Sequence, residues 1–321
     1  MAAAKPRGID SVNWHSEEIE RIVRRALSED IGPGDAGTAA TIPPQMEAHA
    51  QIQARQTLVC AALPLAENIF RALDPEMEVV CVHPDGSFVE PGATLVELKG
   101  NAAAILTGER AALNFLSRLC GIATLTRRFV EQLAGTKTRI RDTQKTAPGL
   151  RVLEKYAVKV GGGLNHRFGL YDAILLTGNH VALAGGIKAA LDKAHTYVAP
   201  KSPPPRTASA YDAAGLDPEV AGPAPLSVQI EVRDERELRE ALGAGAEAVR
   251  LDGMAPELAS ECVKLAREMR ADCVIEISGG ITLENLHAYA QAGADFLSSG
   301  MLTHSAPAAH LSLLVDKAEE T

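Results

Sequence analysis

The sequence predicts an α/β fold, and three observations carry that expectation. From about residue 138 onward, short apolar strands alternate with helices of roughly a dozen residues, the pattern of a parallel sheet with right-handed crossovers. Several of these strands end in polar residues: Asp142, Glu231, Asp252, Ser278-Gly279-Gly280 and Ser298-Ser299-Gly300. In a β/α barrel such ends share one face, and that face holds the site. The first third instead mixes helices with hairpin-like strands, so an α+β unit precedes the alternating one.

In chain order, residues 16–29 place apolar side chains at 19, 22, 23, 26 and 27, an amphipathic helix that Ser16 can cap. Gly and Pro end it in a loop over 30–35. Residues 48–60, 77–83 and 94–98 read as strands, with a helix over 64–73 and turns at 83–87 and 90–93. Long helices fill 101–132, with Gly121 expected to break or kink them. Arg110, Asn114 and Arg118 make a polar stripe there, open to reading as a solvated face or part of a site. The alternating part predicts strands 138–142, 172–176, 227–232, 247–251, 272–276 and 294–298. Helices are predicted over 148–160, 183–196, 234–243, 255–270 and 282–291, with a last helix over 306–321. Residues 200–226 are rich in proline, which excludes a helix or central strand and marks an insert.

Composition narrows the function. The 321 residues are 46% hydrophobic and 23% charged, with a net charge of −9. Bulk nucleic-acid binding needs a basic surface and is not expected. No apolar run is long enough to span a membrane, and the N-terminus lacks the apolar core of a secretory signal. The five cysteines show no CxxC spacing, so zinc and redox motifs are not expected; free thiols in the cytoplasm are.

Positive charge is therefore local. Residues 142–180 gather Lys145, Lys155, Arg151, Arg167, His166 and His180 around Gly161-Gly162-Gly163, readable as an anion site or as a basic turn between helices. Glu231 and Asp252 could hold Mg²⁺ with a phosphorylated substrate, act as an acid/base pair, or cap the following helices. The turns Ser278-Gly279-Gly280 and Ser299-Gly300 suit a phosphate.

These residues together resemble the quinolinate phosphoribosyltransferase family. The likeness runs from about residue 16 to 315 outside the insert. Its markers are Glu29-Asp30 with Gly32, Gly34 and Asp35; Gly108-Glu109-Arg110; Gly121-Ile122-Ala123-Thr124; Asp142-Thr143 with Lys145-Thr146; Pro148-Gly149-Leu150-Arg151; Asn165-His166-Arg167; Asn179-His180; Ser278 to Thr282; and Leu302-Thr303-His304-Ser305. The resemblance implies an N-terminal α/β sandwich (1–121 with 306–321) and an open seven-stranded α/β barrel (122–305, carrying the insert). It implies a homodimer, or an oligomer of dimers, with shared sites. The reaction implied joins quinolinate to phosphoribosyl pyrophosphate with Mg²⁺ and releases pyrophosphate and CO₂, leaving nicotinate mononucleotide. Lys145, Glu231 and Asp252 take catalytic roles, the last two as metal ligands. Arg110, Gln144, Arg151, His166, Arg167, Thr177, Ser278, Gly279, Gly280, Ser299, Gly300 and His304 take substrate-binding positions.

Four positions depart from the pattern. The family carries Arg where Gln144 stands, Lys-Asp at Thr177-Gly178, Glu at Gln229 and Asn at Gly253. Two expected cations are thus absent, and other basic residues (Arg141, Lys155, Lys159) are candidates to replace them. A less anionic nitrogen heterocycle, or another ribosyl phosphate donor, is the alternative substrate. Lys145, Glu231 and Asp252 argue against a non-catalytic binding protein.

Overall fold

The computed structural model describes residues 12–198 and 227–319. The proline-rich insert predicted at 200–226 lies outside the described residues. Helix α1 (Glu17–Ile31) forms as its periodicity predicts, burying Ile19, Val23 and Leu27. Ser16 precedes it but makes no side-chain cap, and its hydroxyl is buried without a partner. The loop after α1 hides a short helix, α2 (Ala36–Thr41), which Asp35 caps by accepting from the Thr38 N–H at 3.0 Å.

Strands β1 (Glu47–Ala54), β3 (Glu78–Cys81) and β5 (Thr94–Asn101) form an antiparallel sheet, with α3 (Leu65–Leu73) between β1 and β3 in the chain. A small ribbon pairs β2 (Leu58–Val59) with β4 (Phe88–Val89). The last segment corrects the sequence reading. Instead of a helix over 306–321, β12 (Leu311–Glu319) pairs antiparallel with β1, Leu311 opposite Ala54. β1 would otherwise present an unpaired edge, and tertiary pairing overrides local propensity there.

Helix α4 (Ala102–Gln132) runs unbroken for 31 residues, so Gly121 does not break it. A Cβ on Gly121 would lie 2.1 Å from the Pro307 carbonyl oxygen. Glycine therefore lets the chain entering β12 cross the helix at backbone distance. Gly161 has the same use: its Cβ would lie 2.5 Å from the Ala123 carbonyl oxygen of α4. The glycine run that suggested close approach to a ligand is used, at this position, for close approach to a helix.

The second sheet is parallel, in the order β6 (Arg139–Arg141), β11 (Phe296–Ser298), β10 (Val274–Ser278), β9 (Ala248–Asp252), β8 (Val228–Val232) and β7 (Ile174–Leu176). On the free side of β6, Leu164 makes a single parallel bridge with Arg141. That bridge stands where a second barrel strand falls in chain order, completing seven positions. Among the described residues no pairing joins it to β7, so the barrel is open there. Crossovers are α5 (Arg151–Val160), α6 (Gly178–Ala184) with α7 (Ile187–Val198), α8 (Glu235–Gly243), α9 (Pro256–Met269) and α10 (Leu286–Ala290); α11 (Met301–His304) follows β11. The single helix predicted over 183–196 is two, divided by Gly185 and Gly186, both at positive φ. The helix predicted over 282–291 shrinks to α10, because Asn285 binds the preceding turn.

Candidate active site

All six paired barrel strands are parallel, so their C-terminal ends form one rim. Glu231 and Asp252 stand on neighbouring strands at that rim. Helix N-caps belong to Asp234 and Ala255, so neither carboxylate caps the helix that follows its strand, although Glu231 accepts from the Gly178 N–H at the start of α6. Burial raises the Glu231 carboxyl above the ordinary carboxylate range; Arg250 opposes that shift and Asp252 adds to it. Two hard oxygen donors would suit a Mg²⁺ ion, with water and a substrate phosphate supplying the rest of its oxygen ligands. Among the described residues no cluster of three or more His, Cys, Asp or Glu could hold a metal alone.

Beside them, Ser278 lies opposite Asp252 in register. Gly279 at φ +95° passes so close to the next loop that a Cβ would lie 2.7 Å from the Gly253 nitrogen. The Ser299 hydroxyl donates to the Ile281 carbonyl at 2.7 Å, tying the two serine-glycine turns together. A Cβ on Gly300 would lie 2.6 Å from His304 Nε2 and 3.0 Å from Lys145 Cδ. Lys145 and His304 therefore meet over this turn. The Thr303 hydroxyl fixes the Lys145 loop by donating to its carbonyl at 2.8 Å.

The segment that carries His166 and Arg167 is built on a buried ion pair. Lys155 Nζ donates to Asp142 Oδ1 at 2.6 Å, both fully buried, and the same oxygen takes the His166 N–H at 2.7 Å. Burial pushes the Asp142 carboxyl up to about 6 against the pull of Lys155. Lys155 is thus committed to the fold and does not replace an absent cation. His166 Nδ1 accepts the Arg167 N–H at 2.7 Å, which leaves the proton on Nε2, 3.2 Å from Gln229 Oε1. Burial lowers the His166 pKa, favouring this neutral form.

Other predicted positions divide by use. Arg167 donates to the Ala173 carbonyl at 3.1 Å across the barrel opening. The Arg151 guanidinium is occupied by Thr146 Oγ1, the Phe168 carbonyl and the Gln144 carbonyl, at 3.1, 2.8 and 3.5 Å. It braces two loops. Thr177 caps α6 in a box with His180, its hydroxyl 2.8 Å from Nδ1. Arg110 stands apart on α4 with its side chain 63% exposed.

Two residues that sequence reasoning missed occupy the barrel interior. Glu276 is fully buried and receives Arg250 Nε at 3.0 Å and Gln229 Nε2 at 3.3 Å, with Arg141 and His166 at 3.5 Å. Burial alone would raise its carboxyl, but the groups around it, Arg250, Ser298 and Arg141 among them, hold it below the ordinary value. The signal was present in the strand alternation: Arg250 and Glu276 lie two residues before Asp252 and Ser278, hence on the same inward face. Beside this network is a cavity of about 280 Å³ lined by Arg141, His166, Arg167, Gln229, Ala248 and Phe296 among others, between the starts of β7 to β11 and the segment that carries His166 and Arg167.

Comparison with known proteins decides the family. The model of the quinolinate phosphoribosyl transferase N-terminal domain matches residues 35–120, and that of its C-terminal domain matches 122–203 and 215–314. The chain belongs to the quinolinate phosphoribosyltransferase family. It is 37% identical over 304 residues to a probable nicotinate-nucleotide pyrophosphorylase (carboxylating) of Bacillus subtilis, covering 95% of this chain and 96% of that one. The chloroplastic nicotinate-nucleotide pyrophosphorylase (carboxylating) of Arabidopsis thaliana is 35% identical over 324 residues, covering 96% of this chain and 86% of the relative. The nicotinate-nucleotide pyrophosphorylase structure from Francisella tularensis superposes with a TM-score of 0.82 at 33% identity, covering 97% of this chain and all of that one. The phosphoribosyltransferase barrel is therefore the fold. Among the described residues no helix is long and apolar enough to cross a membrane.

Proposed function

We propose that this chain joins quinolinate to phosphoribosyl pyrophosphate, with decarboxylation, to give nicotinate mononucleotide, CO₂ and pyrophosphate. One observation carries the reading: a carboxylate pair, two serine-glycine turns and Lys145 converge on one barrel rim in a member of this family. Glu231 and Asp252 would hold Mg²⁺, which when bound supplies positive charge against the departing pyrophosphate. Lys145 and His304 contact the phosphorylated donor. The backbone N–H groups around Ser278–Gly280 and Ser299-Gly300 receive its 5′-phosphate. As the C1–O bond breaks, positive charge develops at C1 of the ribose, where the acidic rim favours it.

On the other side Arg167 faces a pyridine carboxylate, with neutral His166 beside it. The pyridine nitrogen lone pair forms the new bond to C1, leaving the nitrogen quaternary. The neighbouring C–C bond then breaks. CO₂ departs, the electron pair stays on the ring carbon under the positive nitrogen, and a proton from solvent replaces the carboxylate.

A homodimer or oligomer of dimers belongs to the same reading, supported by the exposure of Arg110, which a second copy's site would receive. A cytoplasmic location is supported by five cysteines, none in a disulfide. The deciding assay supplies quinolinate, phosphoribosyl pyrophosphate and Mg²⁺ and measures nicotinate mononucleotide with CO₂. Equal amounts of both are expected. Product from another nitrogen heterocycle, with none from quinolinate, would overturn the assignment.

A further inference from the structure

Glu231 and Arg250 are register partners on β8 and β9, with Arg250 Nη1 3.4 Å from Glu231 Oε1. The rest of the Arg250 head is engaged below: Nε and Nη2 meet Glu276 Oε1 at 3.0 and 2.9 Å, and Nη2 meets Ser298 Oγ at 3.0 Å. Its side chain is only 9% exposed, so it cannot swing away into solvent. Arg141 stacks on Phe296 with its guanidinium 3.2 Å from the ring centre and points to the same Glu276. Arg167 also adds its charge near Glu231. Arg250 and Arg141 thus converge on Glu276, and Arg250 alone of the two also reaches Glu231 at the rim.

A divalent cation entering alone would bring uncompensated positive charge to a few ångströms from Arg250, where attraction and repulsion are weakly screened. A cation entering with a diphosphate would not. We infer that Arg250 keeps the Glu231–Asp252 pair from holding a divalent cation by itself, so that the metal is admitted only together with the diphosphate of the ribosyl donor. Arg250 is a positioning residue here: it occupies one oxygen of Glu231 and sets the charge of the rim without touching substrate. The inference rests on the metal role of Glu231 and Asp252 proposed above, but not on the identity of the acceptor.

The test measures protein-bound Mn²⁺ by electron paramagnetic resonance, with no acceptor present. The unsubstituted protein binds Mn²⁺ weakly alone and at least about tenfold more tightly with inorganic pyrophosphate. Arg250→Gln, which keeps a hydrogen-bonding head and drops the charge, binds Mn²⁺ alone about tenfold more tightly than the parent; Arg250→Lys does not. Adding Glu231→Gln to Arg250→Gln removes the gain. Melting curves by circular dichroism establish that each variant is folded, and the pyrophosphate comparison needs no variant at all. Mn²⁺ binding that is independent of pyrophosphate in the parent overturns the inference. So does unchanged affinity in Arg250→Gln, or a gain that survives loss of Glu231. Turnover with quinolinate is a separate readout, so an incorrect acceptor leaves the Mn²⁺ comparison intact.

Discussion

At the scale of residues, the site separates groups facing the rim from groups that hold them. Lys155 illustrates the second kind. Its ammonium is sealed against Asp142, and removing one member of such a pair leaves a buried uncompensated charge. Lys155→Met should lower stability by about 3–5 kcal/mol, read as a large drop in melting temperature. The resemblance to the family would put Gln144 among the other kind. Its backbone carbonyl already serves Thr146 and Arg151, and the resemblance implies a cation at its position. Gln144→Arg should lower KM for quinolinate about tenfold with little change in KM for phosphoribosyl pyrophosphate, since a new charge-assisted bond to a carboxylate contributes on the order of 1.5–3 kcal/mol. Steady-state kinetics with each substrate varied would detect it, and a KM rise for the donor alone would contradict the placement.

Elements are joined by close contacts that only small residues permit. Gly121→Ala puts a methyl group into the Pro307 carbonyl. Overpacking of that kind costs about 1–3 kcal/mol, and β12 should loosen from β1, seen as faster amide exchange along Leu311–Glu319. The cap of α2 gives a pH-dependent test. Hydrogen bonds from Thr38 hold the Asp35 carboxyl below its ordinary value. A depressed carboxyl contributes stability above its unfolded pKa and loses it as pH falls through the folded one. Asp35→Ala should therefore melt below the parent at pH 7, and the gap should close in acid below the ordinary carboxylate range.

For the whole molecule, Arg110 poses the question of assembly. It lies on α4 with its guanidinium turned outward, whereas Glu231 and Asp252 sit at the barrel rim. If sites are shared between copies, Arg110→Ala and Glu231→Gln subunits, each inactive alone, should regain activity on mixing and reassembly. Up to about half the sites of a mixed dimer would then be intact. Mixtures as inactive as their parents would mean that the sites are not shared between copies.

Much of this was legible from the residues in order. The barrel followed from short apolar strands alternating with helices, and the rim from their polar ends. Period-two alternation already put Arg250 and Glu276 on the face of Asp252 and Ser278. The strand β12 was not legible, because Leu311 to Glu319 acquires its hydrogen bonds from the edge of β1, far away in the chain. Gly121 looked like a helix breaker, and the glycines at 161–163 like a ligand loop. Local sequence does not reveal which backbone will cross at 121 or 161. The chain by itself determined the family, the fold class and the residue types at the rim, since periodicity and motif spacing are local properties. Only the tertiary structure decided how the charges are used. Lys155 and Arg151 brace the fold while Arg250 faces Glu231, because pairing depends on which groups are brought within a few ångströms and shielded from water.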